Sequence, residues 1–512
     1  MENHKNEYSF STVSIISYVW RGILVGIIAG IIVSLFRLII EAIADRVVSY
    51  YYLSQKDPKV LFFIILFSVL AVIIVGFFVK DEPDIKGSGI PHVEGELKGL
   101  LSPKWWSVLW KKVVSGIVAI SMGFMLGREG PSIQIGAMSA KGLAKYLNSS
   151  RLEKRVLIAS GAAAGLSAAF NAPIAGLLFV VEEIYHHFSR LIWITALVAS
   201  LVANFISLNI FGLKPVLAMP SSMPFLDLSH YWILLLLGAF LGFLGYIYER
   251  VILSFHKLIA FLGHCFHLPN YFYGLIALPV IIPIGYYFPQ LLGGGNGLII
   301  DLSLNHSTLI LVVLFFLLRF IGSMFSYSSG LPGGIFLPIL TLGALAGLIF
   351  GYAFHYLGFV EENLRPLFLV LGMAGYFAAI SKAPLTGMIL VTEMVGDLKP
   401  LMSIAVVTFV AYLIMDLLKG EPIYEAMLAK MTINHPSDLV EPTLIELTVS
   451  EKLAGRYVRD LQLPANVLIT TQINNKKSQV VSGNTRLLAG ATIFVVVNET
   501  DVGLIRHLLM PN

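Results

Sequence analysis

Charge and cysteine are scarce in this chain. Of its 512 residues 13% are Asp, Glu, Lys or Arg and 57% are apolar, too little polar surface to coat a soluble globule of that length. The bulk of the chain therefore belongs in lipid. The net charge of +4 is too dilute for nucleic acid, and no Lys/Arg cluster is interleaved with aromatics as such binding needs. The single Cys265 excludes an intrachain disulfide and a multi-cysteine metal site. Also missing are H-E-x-x-H, the nucleophile elbow G-x-S-x-G and the Walker glycine loop, which argues against an enzyme; no cofactor is implied.

Long apolar runs are what the chain has in abundance. Stretches able to cross a bilayer, roughly 20 residues each, lie near 13–44, 60–79, 107–126, 190–211, 231–256, 272–290, 308–328, 335–358 and 401–418. The first contains Arg21 and Arg37 and no small-residue cleavage site, so it reads as a retained span and not a signal peptide. Near residue 430 Asn, Thr, Asp, Glu and Lys become frequent and spanning runs cease. The expected division is a membrane domain over 1–436 and a small α+β domain over 437–512. In the latter, Thr443–Val449, Asn466–Ile473 and Thr492–Val497 are β-prone, while Ser450–Leu461 and Asp501–Leu509 suit helices.

The membrane part repeats itself. GAAAGLSAAFNAPIAGLLFVVEE from Gly161 resembles GMAGYFAAISKAPLTGMILVTEM from Gly372, Ala172 aligning with Ala383 at an offset of 211. Repeated halves mark transporter folds, whose substrate site lies at the repeat interface and is built from broken helices; ordinary helix packing also produces small-residue patterns of this kind. Three glycine-rich segments, GSGIP at 87–91, GREGP at 127–131 and GLPGGIFLP at 330–338, each join a turn to a Pro near a possible helix start. Non-helical backbone at membrane depth is tolerated where it is buried or lines a wet cavity. A helix N-terminus there offers free N–H donors and about half a positive charge, so three that converge make an anion site. Two of the three segments contain no Lys or Arg, which suits an ion that must also leave.

Carboxylates within such runs are conspicuous, because an intramembrane charge costs roughly 2.5–3.5 kcal/mol on insertion scales. Glu129 lies inside GREGP, and Glu182 and Glu183 end the first A-P-x-x-G segment. For Glu129 the alternatives are a role in transport or a salt bridge with Arg128; for the pair, a role in transport or a helix end emerging into water. A carboxylate at an anion-attracting helix end can occupy the anion's place until protonation releases it, which links proton binding to anion binding.

In this order, GSGIP, GREGP, GAAAGLSAAFNAPIAGLLFVVEE, the GGGNG turn at 293–297, SSGLPGGIFLPIL, APLTG and GEPIYEAML at 420–428 resemble the signature set of the CLC chloride channels and transporters, over about Arg21–Lys430. The resemblance implies an all-α polytopic membrane domain of two inverted repeats of broken, tilted helices, a homodimer with one pore per subunit, and residue roles. Ser88 and Tyr424 would coordinate the central anion through hydroxyls, and Ile335 and Phe336 through backbone amides. Glu129 resembles the family's external gating glutamate and Glu183 its internal proton-transfer glutamate. The presence of both implies exchange of chloride for protons, the alternative being a passive voltage- or pH-gated chloride channel of the same fold. A Ser in GSGIP together with Tyr424 resembles the chloride and nitrate branches, Pro at that Ser favouring nitrate, whereas the fluoride branch lacks the Tyr and departs from GREGP. His92 departs from a commonly acidic position, readable as local polarity or as pH sensing.

The tail, Thr443–Leu509, resembles the C-terminal subdomain of RCK potassium-regulatory modules, also called TrkA-C, with Ser482 in place of a frequent Pro and Ala491 of a frequent Asp. That implies a regulatory or dimerising domain with a small-molecule or nucleotide ligand. Together the two resemblances imply a prokaryotic cell membrane protein with its tail in the cytoplasm.

Overall fold

The computed structural model describes residues 3–185, 190–219, 223–432, 442–449, 453–461, 463–464, 467–474 and 477–498, with Ile505 and Leu509. It divides into two compact units, 1–431 and 432–512.

The larger unit is helical. Its first half comprises α1 (Asn3–Ser54), α2 (Pro58–Asp81), α3 (Ile90–Leu97), α4 (Trp105–Ser121), α5 (Glu129–Tyr146), α6 (Arg151–Phe170), α7 (Pro173–Phe179), which continues as a π-helical turn at Val180–Ile184, and α8 (Arg190–Phe211). The second half repeats this order as α9 (Tyr231–Cys265), α10 (Gly274–Tyr287), α11 (Asn296–Leu304), α12 (Leu309–Ser328), α13 (Phe336–Tyr356), α14 (Arg365–Ser381), α15 (Pro384–Val395) and α16 (Leu401–Leu417); α17 (Ile423–Thr432) follows. Among the described residues eight helices are long and apolar enough to cross a membrane.

Corresponding helices do corresponding work. α5 packs on α6 so closely that a Cβ on Gly136 would stand 2.1 Å from the carbonyl oxygen of Gly161, and one on Gly161 would stand 2.3 Å from that of Gly136. α13 and α14 meet in the same way through Gly343 and Gly372. Small residues let backbones approach where lipid supplies no hydrophobic drive for association. Gly161→Ala, which forces a methyl into a carbonyl, is expected to destabilise the membrane unit by about 1–3 kcal/mol. The check is the thermal unfolding midpoint in detergent against Gly297→Ala, where the added methyl meets open space.

The halves are inverted, as contacts at α7 and α15 show. The carboxylate of Glu182, past the C-terminal end of α7, accepts from the amides of Leu385 (3.2 Å) and Thr386 (2.7 Å) and from the Thr386 hydroxyl (2.7 Å) at the start of α15. Glu393, near the end of α15, accepts from the amides of Ile174 (3.1 Å) and Ala175 (2.8 Å) at the start of α7. Glu182 and Glu393 are separated by the 211-residue repeat offset. Each half therefore caps a helix of the other, and two equivalent helices that lie antiparallel require halves turned upside down relative to one another.

The smaller unit is a four-stranded antiparallel sheet of order β1-β4-β2-β3, with β1 Pro442–Thr448, β2 Leu468–Asn474, β3 Lys477–Val480 and β4 Thr492–Asn498. Alternate residues Ile445, Leu447, Ile493, Val495 and Val497 build its core with Ile505 and Leu509, a one-turn helical spacing on one face. β3 is polar and short and leaves no apolar alternation to read. The helix expected over Ser450–Leu461 is corrected: among the described residues of that segment only Val458–Leu461 is helical, as a 3-10 turn. Gly455, at φ +81°, donates its amide to Leu487 O (2.8 Å) and breaks any helix there. Ser450, Glu451 and Lys452 fall outside the described residues, as do Asp501–Leu504 and Arg506–Leu508 of the segment expected to be a terminal helix.

Candidate functional site

Three helix N-termini meet at one buried point. Gly127 and Gly334 exchange amide-to-carbonyl hydrogen bonds of 2.7 Å in both directions, a two-residue antiparallel bridge that fixes the start of α5 beside the start of α13. The start of α3 joins them: a Cβ on Gly130 would lie 2.3 Å from the Ser88 hydroxyl, so the first turn of α5 must be glycine for Ser88 to sit there. Gly89 caps α3 at φ +87°, a left-handed conformation that glycine adopts without steric strain. At α13 the first helical donor is Ile339, whose amide bonds Ile335 O at 2.9 Å; the amides of Ile335 and Phe336 precede it and have no partner within the helix.

Glu129 is the first residue of α5 and fully buried. Its carboxylate faces the amides of Glu129 and Leu337, the positive ends of α5 and α13, without forming a well-aligned hydrogen bond. The salt-bridge alternative is the lesser contact. Arg128 Nε is 3.8 Å from Glu129, whereas Arg128 Nη1 is 2.6 Å from Glu41 of α1, which also takes Arg37 at 3.1 Å. Beside Glu129 a cavity of about 840 Å³ is lined by Glu41, Asp45, Arg128, Leu337 and the 293–297 glycine turn.

Tyr424 is buried on α17, and its hydroxyl has no protein partner. Its ring stands edge-on to Phe179 (6.3 Å), which packs against Phe336 (5.7 Å), and its hydroxyl lies within electrostatic reach of both Glu129 and Glu183. Glu183 is buried in the π-helical turn among Glu94, Glu182 and Glu425. Ser88, Glu129, Ile335 and Phe336 are thus one locus. Tyr424 adjoins it through Phe179 and Phe336, and its hydroxyl has Glu183 as well as Glu129 in electrostatic reach. Glu182 is the cap of α15, and neither member of the pair is a simple helix end in water. His92 is buried on α3, with Lys112 in electrostatic reach and Nδ1 without a partner.

Sequence reasoning missed the two cations that hold the site's frame. Lys112 of α4, fully buried, donates to Ile85 O (2.8 Å) and Gly87 O (2.7 Å) and fixes the loop before α3. Arg319 of α12, also fully buried, donates to Leu291 O (2.8 Å), Gly293 O (2.7 Å) and Gly294 O (2.5 Å) and fixes the loop before α11. They occupy equivalent places in the two halves. Cations inside apolar runs, Arg319 alone and Lys112 beside Lys111, were the available signal.

An inverted-repeat membrane domain whose broken helices turn their N-termini on one buried point defines an ion-transporting membrane protein. Residues 68–416 match the model of the voltage gated chloride channel family, and the chain belongs to that family. Residues 443–510 match the TrkA-C domain model.

Among similar proteins, the H(+)/Cl(-) exchange transporter ClcA of Vibrio campbellii is 32% identical over 431 residues, 83% of this chain and 92% of that one. The ClcA exchange transporter of Vibrio parahaemolyticus is 34% identical over 80% of this chain and 89% of its own. A solved slow cyanobacterial Cl-/H+ antiporter superposes with a TM-score of 0.76 at 26% identity, covering 82% of this chain and 99% of the other. A CLC-type fluoride/proton antiporter, at 22% identity and a TM-score of 0.67, shares the fold.

Proposed function

We propose that the chain exchanges chloride for protons across a membrane. The observation that carries this reading is Tyr424 within electrostatic reach of two buried carboxylates, Glu129 and Glu183, beside a cluster of helix N-termini. In this reading the hydroxyls of Ser88 and Tyr424 and the amides of Ile335 and Phe336 hold chloride. Dipoles and hydroxyls suffice, so the ion is attracted without being trapped by a full cation. Ionised Glu129 takes the anion's place at the starts of α5 and α13. A proton neutralises it, the helix ends no longer hold it, and chloride from the adjoining cavity replaces it. Glu183, in electrostatic reach of Tyr424, passes protons to and from the other solution. One carboxylate thus serves in turn as anion and as acid, and the two fluxes are linked. The ClcA relatives, named exchange transporters, support the reading.

The remaining assignments belong to the same proposal: residues 1–436 as the transport domain, 437–512 as a regulatory one that binds a small molecule or nucleotide, a homodimer, and a cell membrane location with the tail and Glu183 on the cytoplasmic side. No covalent chemistry is required.

The test is external pH around purified protein in chloride-loaded liposomes diluted into low chloride, with a potassium ionophore to release the electrical brake. Alkalinisation beyond electrical equilibrium is expected. Chloride efflux without uphill proton uptake would make the protein a channel. Residues 1–436 alone are expected to retain chloride flux in the same assay; its loss would make the tail part of the transport machinery.

A further inference from the structure

Lys98 follows α3 as its C-terminal cap. Its ammonium stands 2.8 Å from Glu94 on α3 and 2.9 Å from Glu425 in the first turn of α17. The two carboxylates differ in environment, Glu94 being 1% exposed and Glu425 47%, with Lys98 between them at 32%. The bridge therefore sits where a buried acidic cluster meets solvent. It also ties together the two elements that carry the proposed anion hydroxyls, since Ser88 lies just before α3 and Tyr424 is the neighbour of Glu425.

Among the described residues, the π-helical turn that holds Glu183 packs on α3, α6 and α7. Glu96 of α3 is paired with Lys141 (2.5 Å) and Lys154 (3.6 Å), and Glu153 of α6 with Arg21. Arg151 and Arg155 are the further cations at the start of α6, and His92 is buried on α3. Glu182 is held at the start of α15, and α17 brings Tyr424 and Glu425. Among the described residues the acidic groups in electrostatic reach of Glu183 are Glu94, Glu182 and Glu425, and Lys98 is ion-paired with Glu94 and Glu425.

We propose that Lys98 is a positioning residue of the exchange reaction: bridging Glu94 and Glu425, it holds α17 against α3 and tempers the negative charge around Glu183, and so governs how readily protons pass between Glu183 and the adjoining solution. This rests on Glu183 as the internal proton carrier.

The experiment uses the full chain in liposomes and reads the pH, equal on both sides, at which chloride-driven proton transport is half-maximal. Lys98→Gln removes a cation from the cluster, protons are held more tightly, and the midpoint is expected to rise by about one unit. Glu425→Gln removes an anion and moves it down, the double variant returns near the starting value, and Lys98→Arg leaves it unchanged. A purely structural bridge would be broken alike by either single change and give shifts of one sign. In a Glu183→Gln background, Lys98→Gln is expected to leave the pH profile of chloride flux unmoved, because the effect runs through Glu183. Shifts of the same sign, or no shift, in the two single variants overturn the inference. Proton transport that survives Glu183→Gln overturns instead the assignment on which it rests.

Discussion

Glu129→Gln stops proton transport and leaves chloride flux, and that flux no longer depends on pH. The carboxylate stands at the positive ends of α5 and α13, so its ionised form is held there and its neutral form is not. Gln keeps the volume but is always neutral, and the anion path remains in one protonation state. The loss of proton transport is expected to be roughly 100-fold or more, the scale on which a positioned proton-transfer group acts. Paired measurements of chloride efflux and external pH on one preparation check it. Proton uptake at an unchanged ratio to chloride would refute the role of Glu129.

Glu183→Gln is the second variant with a large expected effect, and it differs in one diagnostic respect. Proton transport again falls roughly 100-fold, while chloride flux keeps its dependence on pH, because Glu129 still titrates at the other end. The separation follows from geometry: Tyr424 lies in electrostatic reach of both carboxylates, and Glu183 is on a different element, the π-helical turn after α7. Chloride flux of Glu183→Gln across a pH series decides the matter. A flat profile would mean that the two carboxylates act as one site.

Glu182 and Glu183 are adjacent, yet one is consumed by capping α15 and the other is buried among carboxylates. Adjacent positions cannot share a helix face, so assigning the first fixes the second elsewhere. The 211-residue offset that links Glu182 to Glu393 was legible; that the two cap each other's helices was not, because a repeat says nothing of how its copies are turned.

Much of the rest was written locally. Spanning runs, glycine turns before Pro, and β-prone stretches are short-range patterns, and they placed nine of the membrane unit's helices, though not the spanning α14, together with the three broken segments and three of the tail's four strands. The reading failed where a distant contact overrode a local preference. Ser450–Leu461 suits a helix, but the Gly455 amide bonds Leu487 and the chain turns away. Lys112 and Arg319 are cations whose carbonyl partners lie many residues away, and no spacing rule pairs them; Lys98 has Glu94 at helical i,i+4 spacing, but its second partner, Glu425, lies on a separate element.

The sequence by itself determined that this chain lives in lipid, that its membrane part is doubled, and which residue types could receive an anion and a proton. Those are properties of composition and of residues near one another, where hydropathy, periodicity and turn chemistry act. Only the tertiary structure decided that the starts of α3, α5 and α13 face one point, that Glu129 meets helix amides and not a committed Arg128, and that Tyr424 lies in reach of two carboxylates. Helix ends have direction and charge only once they are folded, and their convergence depends on close glycine packing and on reciprocal caps between inverted halves.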